Sequence, residues 1–77
     1  MNKLYNLLLK SKYSLEHFYS YKAYTFKLVD GKWEKIVTIS KYGVKYVVDG
    51  FEGLSNCIKT FKCEFKTYKE VVKYLKI

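Results

Sequence analysis

The chain has 77 residues, of which 49% are hydrophobic and 19% aromatic. This length suits one domain with one core, and this composition excludes the polar, aromatic-poor class of disordered chains. No apolar run approaches the about 18 residues of a membrane span, and Lys10 directly follows the leucines at 7–9, which excludes a secretory signal. We therefore predict a stand-alone domain over residues 1–77 that is cytoplasmic and has no membrane partner.

The formal net charge is +8, and all 15 basic residues are lysines. Such a charge favours an anionic partner, because it attracts phosphates over long range and releases their counterions on binding. The same bias, without arginine or proline, also arises from the codons of an AT-rich genome, so composition alone is the other explanation. The absence of arginine disfavours base-specific duplex readout, in which arginine on guanine is the commonest contact.

The first predicted element is a helix from about residue 3 to residue 11. Asn2 precedes it and is a favoured N-cap residue, because its side chain accepts a hydrogen bond from a free backbone amide. Leucines at the i, i+3 and i+4 positions predict one apolar face: Leu4, Leu7 and Leu8. Ser14 is then predicted to cap a further helical turn through Phe18.

The next segment alternates between polar and apolar side chains, which predicts a β-strand over residues 21–29. Asp30-Gly31 follows, and this dipeptide favours a two-residue type I′ turn into a second strand. Lys27 is then expected directly opposite Glu34, where opposite charges stabilise a strand pair.

A second turn at Tyr42-Gly43 leads into a third strand over residues 44–48, with Ile39 opposite Tyr46. Because successive side chains of a strand point to opposite sides, the three strands have two different faces. One face is apolar and requires cover by helices: Tyr24, Phe26, Leu28, Trp33, Val37, Ile39, Tyr46 and Val48. The other face is mixed and can stay open: Tyr21, Thr25, Lys27, Glu34, Ile36, Thr38, Lys45 and Val47.

The segment after the third strand is harder to interpret. Asp49-Gly50 and the nearby Gly53 predict a loop over residues 49–55. Apolar side chains beyond it fit a strand and a helix about equally well, so residues 54–62 have two interpretations. We favour a strand for residues 61–65, with these side chains alternating inward: Phe61, Cys63 and Phe65.

The last predicted element is a helix. Thr67-x-x-Glu70 is a capping box, and apolar side chains line one face after it: Tyr68, Val71, Val72 and Leu75. The predicted fold class is therefore α+β. It is an antiparallel meander of three to four strands, with an N-terminal and a C-terminal helix packed on one face.

The sequence predicts no active site. A catalytic nucleophile needs a positioned base, and the single histidine, His17, has no orienting motif around it. Cys57 and Cys63 are too few for a disulfide framework or a structural zinc site, and we predict buried free thiols. The glycines form no phosphate-binding loop. We expect no enzymatic activity, no cofactor and no metal.

Two surfaces are candidates for partner binding. On the open face, aromatic, apolar and cationic side chains combine in a way that suits single-stranded nucleic acid or a protein: Tyr21, Lys27, Ile36 and Lys45. On the final helix, lysines at helical spacing form a basic stripe opposite the apolar face: Lys66, Lys69, Lys73 and Lys76.

Two functions are consistent with these surfaces. The first is a small phage or mobile-element protein that docks stoichiometrically on a host protein or nucleoprotein and inhibits it. The order of helix, meander and helix is similar to that of some anti-CRISPR and other anti-defence proteins, and this resemblance implies such a role. The alternative is a basic accessory domain that binds DNA or RNA through the open face and the lysine stripe. Either would be a monomer or a homodimer.

Overall fold

Two short helices flank five consecutive strands. The structure, a computed structural model, describes residues 2–77, so Met1 of the predicted domain lies outside the described residues. The elements are α1 (Lys3–Leu9), β1 (Ser14–Ser20), β2 (Ala23–Asp30), β3 (Trp33–Tyr42), β4 (Lys45–Leu54), β5 (Cys57–Phe65) and α2 (Tyr68–Leu75). Each strand pairs antiparallel with the next, so the sheet is an open meander. This confirms the α+β class, but the sheet has five strands rather than three or four.

The first helix begins where the sequence predicts and ends earlier. Asn2 is its N-cap, and the side-chain oxygen accepts a hydrogen bond from the amide of Tyr5 at 2.9 Å. The helix ends at Leu9 rather than at residue 11. Of the leucines predicted to form its apolar face, Leu4 and Leu8 are buried.

The segment after α1 is a strand, so the predicted helical turn is wrong. Leu15 pairs with Phe26 and Phe18 pairs with Tyr24, on the side of the sheet that the helices cover. A bulge between Leu15 and His17 inserts one extra residue into β1. It brings side chains three positions apart to the same side, and a helical turn would give the same spacing.

The β2–β3 and β3–β4 hairpins form with a register shifted by two residues. Their loop residues are Gly31-Lys32 and Gly43-Val44, one position later than predicted. Only the glycine of each pair has a positive φ, which fits a type II′ turn rather than type I′. A shift of two keeps every side chain on its predicted face, because the period of a strand is two. Lys27 therefore lies diagonal to Glu34 rather than opposite it.

The fourth strand continues through the segment predicted as a loop, so that prediction is wrong. Gly50 and Gly53 lie inside β4 with φ angles of 153° and 138°, which side chains rarely allow. A Cβ atom on Gly50 would collide with the backbone carbonyl of Ile36, and one on Gly53 with that of Cys57. These glycines therefore allow neighbouring strands to lie close together, and they do not form a turn.

The last two elements, β5 and α2, are the strand and the helix that the sequence favours. The strand expected at 61–65 is confirmed and begins earlier, at Cys57. Both cysteines are free, but Cys57 is exposed and Cys63 half-buried, so their predicted burial is wrong. Thr67 and Glu70 form the predicted capping box: the Glu70 amide donates to Thr67 Oγ1 at 3.3 Å, and the Thr67 amide to Glu70 Oε1 at 3.2 Å.

The core lies between the two helices and the face of the sheet that the sequence predicts as apolar. The buried apolar side chains are Leu4, Leu8, Tyr13, Tyr24, Phe26, Val37, Ile39, Val48, Val71 and Leu75. The other face of the sheet has no helix on it within residues 2–77, and we call it the open face. Neither described helix is long and apolar enough to span a bilayer.

Because of Tyr24, we expect the free energy of unfolding to fall at alkaline pH. Burial raises the pKa of its hydroxyl far above the usual value of 10.0, and the nearby Tyr46 adds to this effect. The stabilisation is fully present below pH 10, where the tyrosine is neutral in both the folded and the unfolded state. This stabilisation is lost as the pH rises further, because Tyr24 ionises readily only in the unfolded state. The free energy of unfolding then falls by about 1.4 kcal/mol per pH unit.

Urea unfolding at pH 7 and at steps from pH 9.5 to 11.5 checks this dependence. We expect Tyr24→Phe to lose less free energy of unfolding per pH unit above pH 10 than the wild type. The variant keeps part of the dependence, because burial also raises the pKa of Tyr13. Equal slopes in both proteins would contradict the assignment to Tyr24.

Candidate functional site

The open face carries three of its four predicted binding residues and brings two of them together. Lys27 and Ile36 are direct partners across β2 and β3, and Lys45 lies on the same face of β4 near the opposite end. Tyr21 is not on this face, contrary to the prediction. It lies in the turn between β1 and β2, and its ring packs edge-on against Tyr5 and Phe18 on the helical side, with centroids 5.4 and 5.2 Å away.

The lysines of the open face lie beside or opposite carboxylates. Lys27 Nζ lies 3.0 Å from the Glu34 carboxylate, and the hydrogen bond and charge of this partner raise the pKa of the lysine. Lys45 Nζ lies 3.4 Å from the carboxylate of Glu64 on β5. A third lysine on this face, at position 62, stands directly opposite Asp49. The open face is therefore close to electrically neutral, and the excess charge of the chain lies elsewhere.

Apolar side chains occupy the end of the open face near the β2–β3 and β4–β5 turns. We call this set the apolar patch: Val29, Ile36, Phe51 and Ile58. Val29, Phe51 and Ile58 are 55%, 43% and 56% exposed, and Ile36 is half-buried at the centre. The Lys27–Glu34 ion pair lies beside this patch. An apolar centre with paired charges beside it is typical of protein interfaces.

The predicted lysine stripe is exposed along its whole length. Lys69 and Lys73 lie within α2, whereas Lys66 precedes the helix and Lys76 is its left-handed C-cap with φ 59°. None of the four forms an ion pair among the described residues. Val71 and Leu75 are buried on the opposite side of the helix, as predicted.

A groove that was not predicted from the sequence lies where the two helices begin. It encloses about 650 Å³. Its lysines come from α1, from the turn after β1 and from β3: Lys3, Lys22 and Lys41. Its tyrosines come from that same turn, from β4 and from α2: Tyr21, Tyr46 and Tyr68. Among the described residues no carboxylate lines this space, which we call the basic groove.

Backbone and ring contacts fix the walls of the basic groove. The Lys41 amide donates to the carbonyl of Lys22 at 2.8 Å, which ties the β1–β2 turn to β3. Lys41 Nζ lies 5.1 Å from the centre of the Tyr46 ring, and Lys3 Nζ lies 6.0 Å from that of Tyr68. Such cation–π contacts are weak but orient a lysine without neutralising it.

Little in the sequence points to this groove. Its residues are spread from position 2 to position 68 and belong to five segments that only the folded chain brings together. Lys22 and Lys41 each adjoin an exposed tyrosine in the chain, and these pairs beside turns were the one visible hint.

Titratable side chains form no metal-binding cluster in the described part of the chain. His17 lies on the open face of β1 opposite Thr25, and its ring packs against that of Tyr19 with centroids 4.0 Å apart. No three side chains among the histidine, cysteines and carboxylates of residues 2–77 are placed to hold a metal ion.

Comparison of the chain with protein-family models, with curated proteins and with solved structures finds no match.

Proposed function

We propose that this is a non-enzymatic binding protein that docks stoichiometrically on a host protein or nucleoprotein through its open face and inhibits it. Phage and mobile-element proteins of the anti-CRISPR and anti-defence type act in this way. The observation that carries the proposal is the open face itself, a broad strand surface on which charges are paired and apolar side chains are exposed.

Charge favours a protein over nucleic acid as the partner of this face. The lysines at 27, 45 and 62 stand beside or opposite carboxylates, so little positive potential remains to attract phosphates. Ion pairs at the rim of an interface cost little free energy when a complementary protein surface covers them. They also set the orientation of docking.

The apolar patch supplies the anchors that such docking needs. Most binding energy in an interface comes from a few large side chains near its centre. Phe51 and Ile58 are the largest exposed side chains of the patch, and they lie on neighbouring strands held rigid by the β4–β5 pairing. A sheet holds such anchors in place before binding, which lowers the entropy lost on association.

Paired variants test this proposal. The partner is captured from nuclease-treated host lysate, identified, purified and titrated by biolayer interferometry. We expect the double variant Phe51→Ser/Ile58→Ser to weaken binding at least about 30-fold, the effect of losing one interface hot spot. Addition of the wild-type protein at a 1:1 ratio is expected to inhibit the partner's activity.

The matched control is Val44→Ser/Leu9→Ser, which removes two exposed apolar side chains from the β3–β4 turn and from α1. We expect the control to bind within about threefold of the wild type, because exposed changes outside a hot spot cost little. Equal losses in both variants would overturn docking through the open face.

A further inference from the structure

We propose that the basic groove binds single-stranded nucleic acid, with its lysines on the phosphates and Tyr21 against a base. This site lies at the ends of the helices and is separate from the open face, so it does not depend on the docking proposed above. Three features carry the inference: the length of the groove, its unopposed charge and the division of roles among its tyrosines.

The groove is elongated. The main recess of about 650 Å³ shares Lys3, Asn6 and Tyr68 with a second recess of about 260 Å³ that follows α1 to Lys10. The larger recess lies within the range of about 300–1,000 Å³ that is typical of small-ligand pockets. A continuous groove of this kind suits a chain of nucleotides better than one compact anion.

The charge of the groove is not neutralised. Lys3, Lys22 and Lys41 form no ion pair among the described residues, in contrast to the lysines at 27 and 45 on the open face. Another recess, of about 460 Å³ near Trp33, also contains lysines, but Lys35 there pairs with a carboxylate at 3.8 Å. The basic groove is thus the better phosphate site, since phosphate contacts by lysine drive nucleic-acid binding through counterion release.

The tyrosines divide into two roles. Tyr46 and Tyr68 are half-buried, and their rings hold the ammonium groups of Lys41 and Lys3. Tyr21 is 60% exposed, and its ring is supported edge-on by that of Tyr5. A supported and exposed ring is a stacking platform for an unpaired base, and bases in a duplex are not available to it.

The probes are fluorescein-labelled oligo(dT) and oligo(rU) of about 15 nucleotides and a DNA duplex of the same length. Fluorescence anisotropy is measured at about 50 and 200 mM salt. We expect both single strands to bind more tightly than the duplex. Three phosphate contacts predict a slope of about −2 in log K against log salt, which is a loss of about 20-fold across this range.

Three variants locate the site. The triple variant Lys3→Gln/Lys22→Gln/Lys41→Gln is expected to remove most of the binding and its salt dependence. Tyr21→Leu keeps an apolar contact with Tyr5 and is expected to weaken binding by about 5- to 150-fold through lost stacking. The control with the same loss of charge is Lys69→Gln/Lys73→Gln/Lys76→Gln on the lysine stripe, and we expect it to keep the wild-type slope.

Circular dichroism and thermal unfolding establish that each variant is folded before binding is measured. Binding of oligo(dT) alone or of oligo(rU) alone would identify DNA or RNA as the ligand and would support the groove. The inference is overturned if no single strand binds at low salt, if the duplex binds more tightly, or if the stripe variant loses affinity while the groove variant keeps it. Failure here would leave docking through the open face intact, because the two tests use different residues.

Discussion

Replacement of Gly50 by alanine is expected to lower the free energy of unfolding by about 3–5 kcal/mol, through strain at a special backbone conformation and a steric clash. Gly50 has φ 153° in the middle of β4, between its partners Val37 on β3 and Phe61 on β5. The added Cβ atom would collide with the carbonyl of Ile36, and a backbone atom in a paired strand cannot move aside as a flexible side chain can. Relief requires breaking the β3–β4 pairing.

Thermal unfolding followed by circular dichroism measures this effect. For a domain of this size about 1 kcal/mol corresponds to about 4–8 °C in Tm, so we expect a fall of more than about 12 °C or no folded state. Gly31→Ala is the matched control, because Gly31 has φ 63° in an open turn with no atom within 4 Å of the added Cβ. It is expected to cost only about 1–2 kcal/mol. Equal effects at the two glycines would contradict the close approach of β4 to β3.

The second large effect is expected at Phe26. Its side chain is fully buried at the centre of β2, and its ring packs edge-on against those of Tyr5 and Tyr24, with centroids 5.8 and 5.7 Å away. Replacement by alanine removes these contacts and leaves a cavity between α1 and the sheet. The expected loss is about 3–5 kcal/mol, the usual range for a buried phenylalanine.

The same substitution on the other face of the sheet provides the control. Phe51 is 43% exposed in the apolar patch, and Phe51→Ala is expected to cost less than about 1 kcal/mol. Urea unfolding of both variants gives the two free energies on one scale. If Phe51→Ala destabilises the chain as much as Phe26→Ala does, then the open face is not the uncovered side of the sheet.

The faces of β2, β3 and the first half of β4 could be predicted from the sequence, whereas the register of these strands could not. Alternation of side chains fixed which residues point toward the helices, and Tyr24, Phe26, Val37, Ile39 and Val48 are indeed buried. The turn type decided the register. Glycine occupies the first loop position of both hairpins, and this shifted each pairing by two residues while leaving the faces unchanged.

The extents of β1 and β4 were obscured for different reasons. The bulge in β1 gives Leu15 and Phe18 a spacing of three, and this spacing is typical of a helix. Gly50 and Gly53 resemble turn residues in the sequence, but their role depends on neighbouring backbones that no local pattern includes. β4 was therefore predicted five residues long, and it is ten.

The sequence by itself determined the α+β class, the N-cap at Asn2, the capping box at Thr67 and the exposed lysine stripe. Each of these follows from residues within one or two helical turns or within one alternating segment. Only the tertiary structure decided that carboxylates accompany the lysines of the open face and that Lys3, Lys22 and Lys41 converge on one groove without them. Both features depend on distances between side chains far apart in the chain, and these distances exist only once the five strands and two helices have packed.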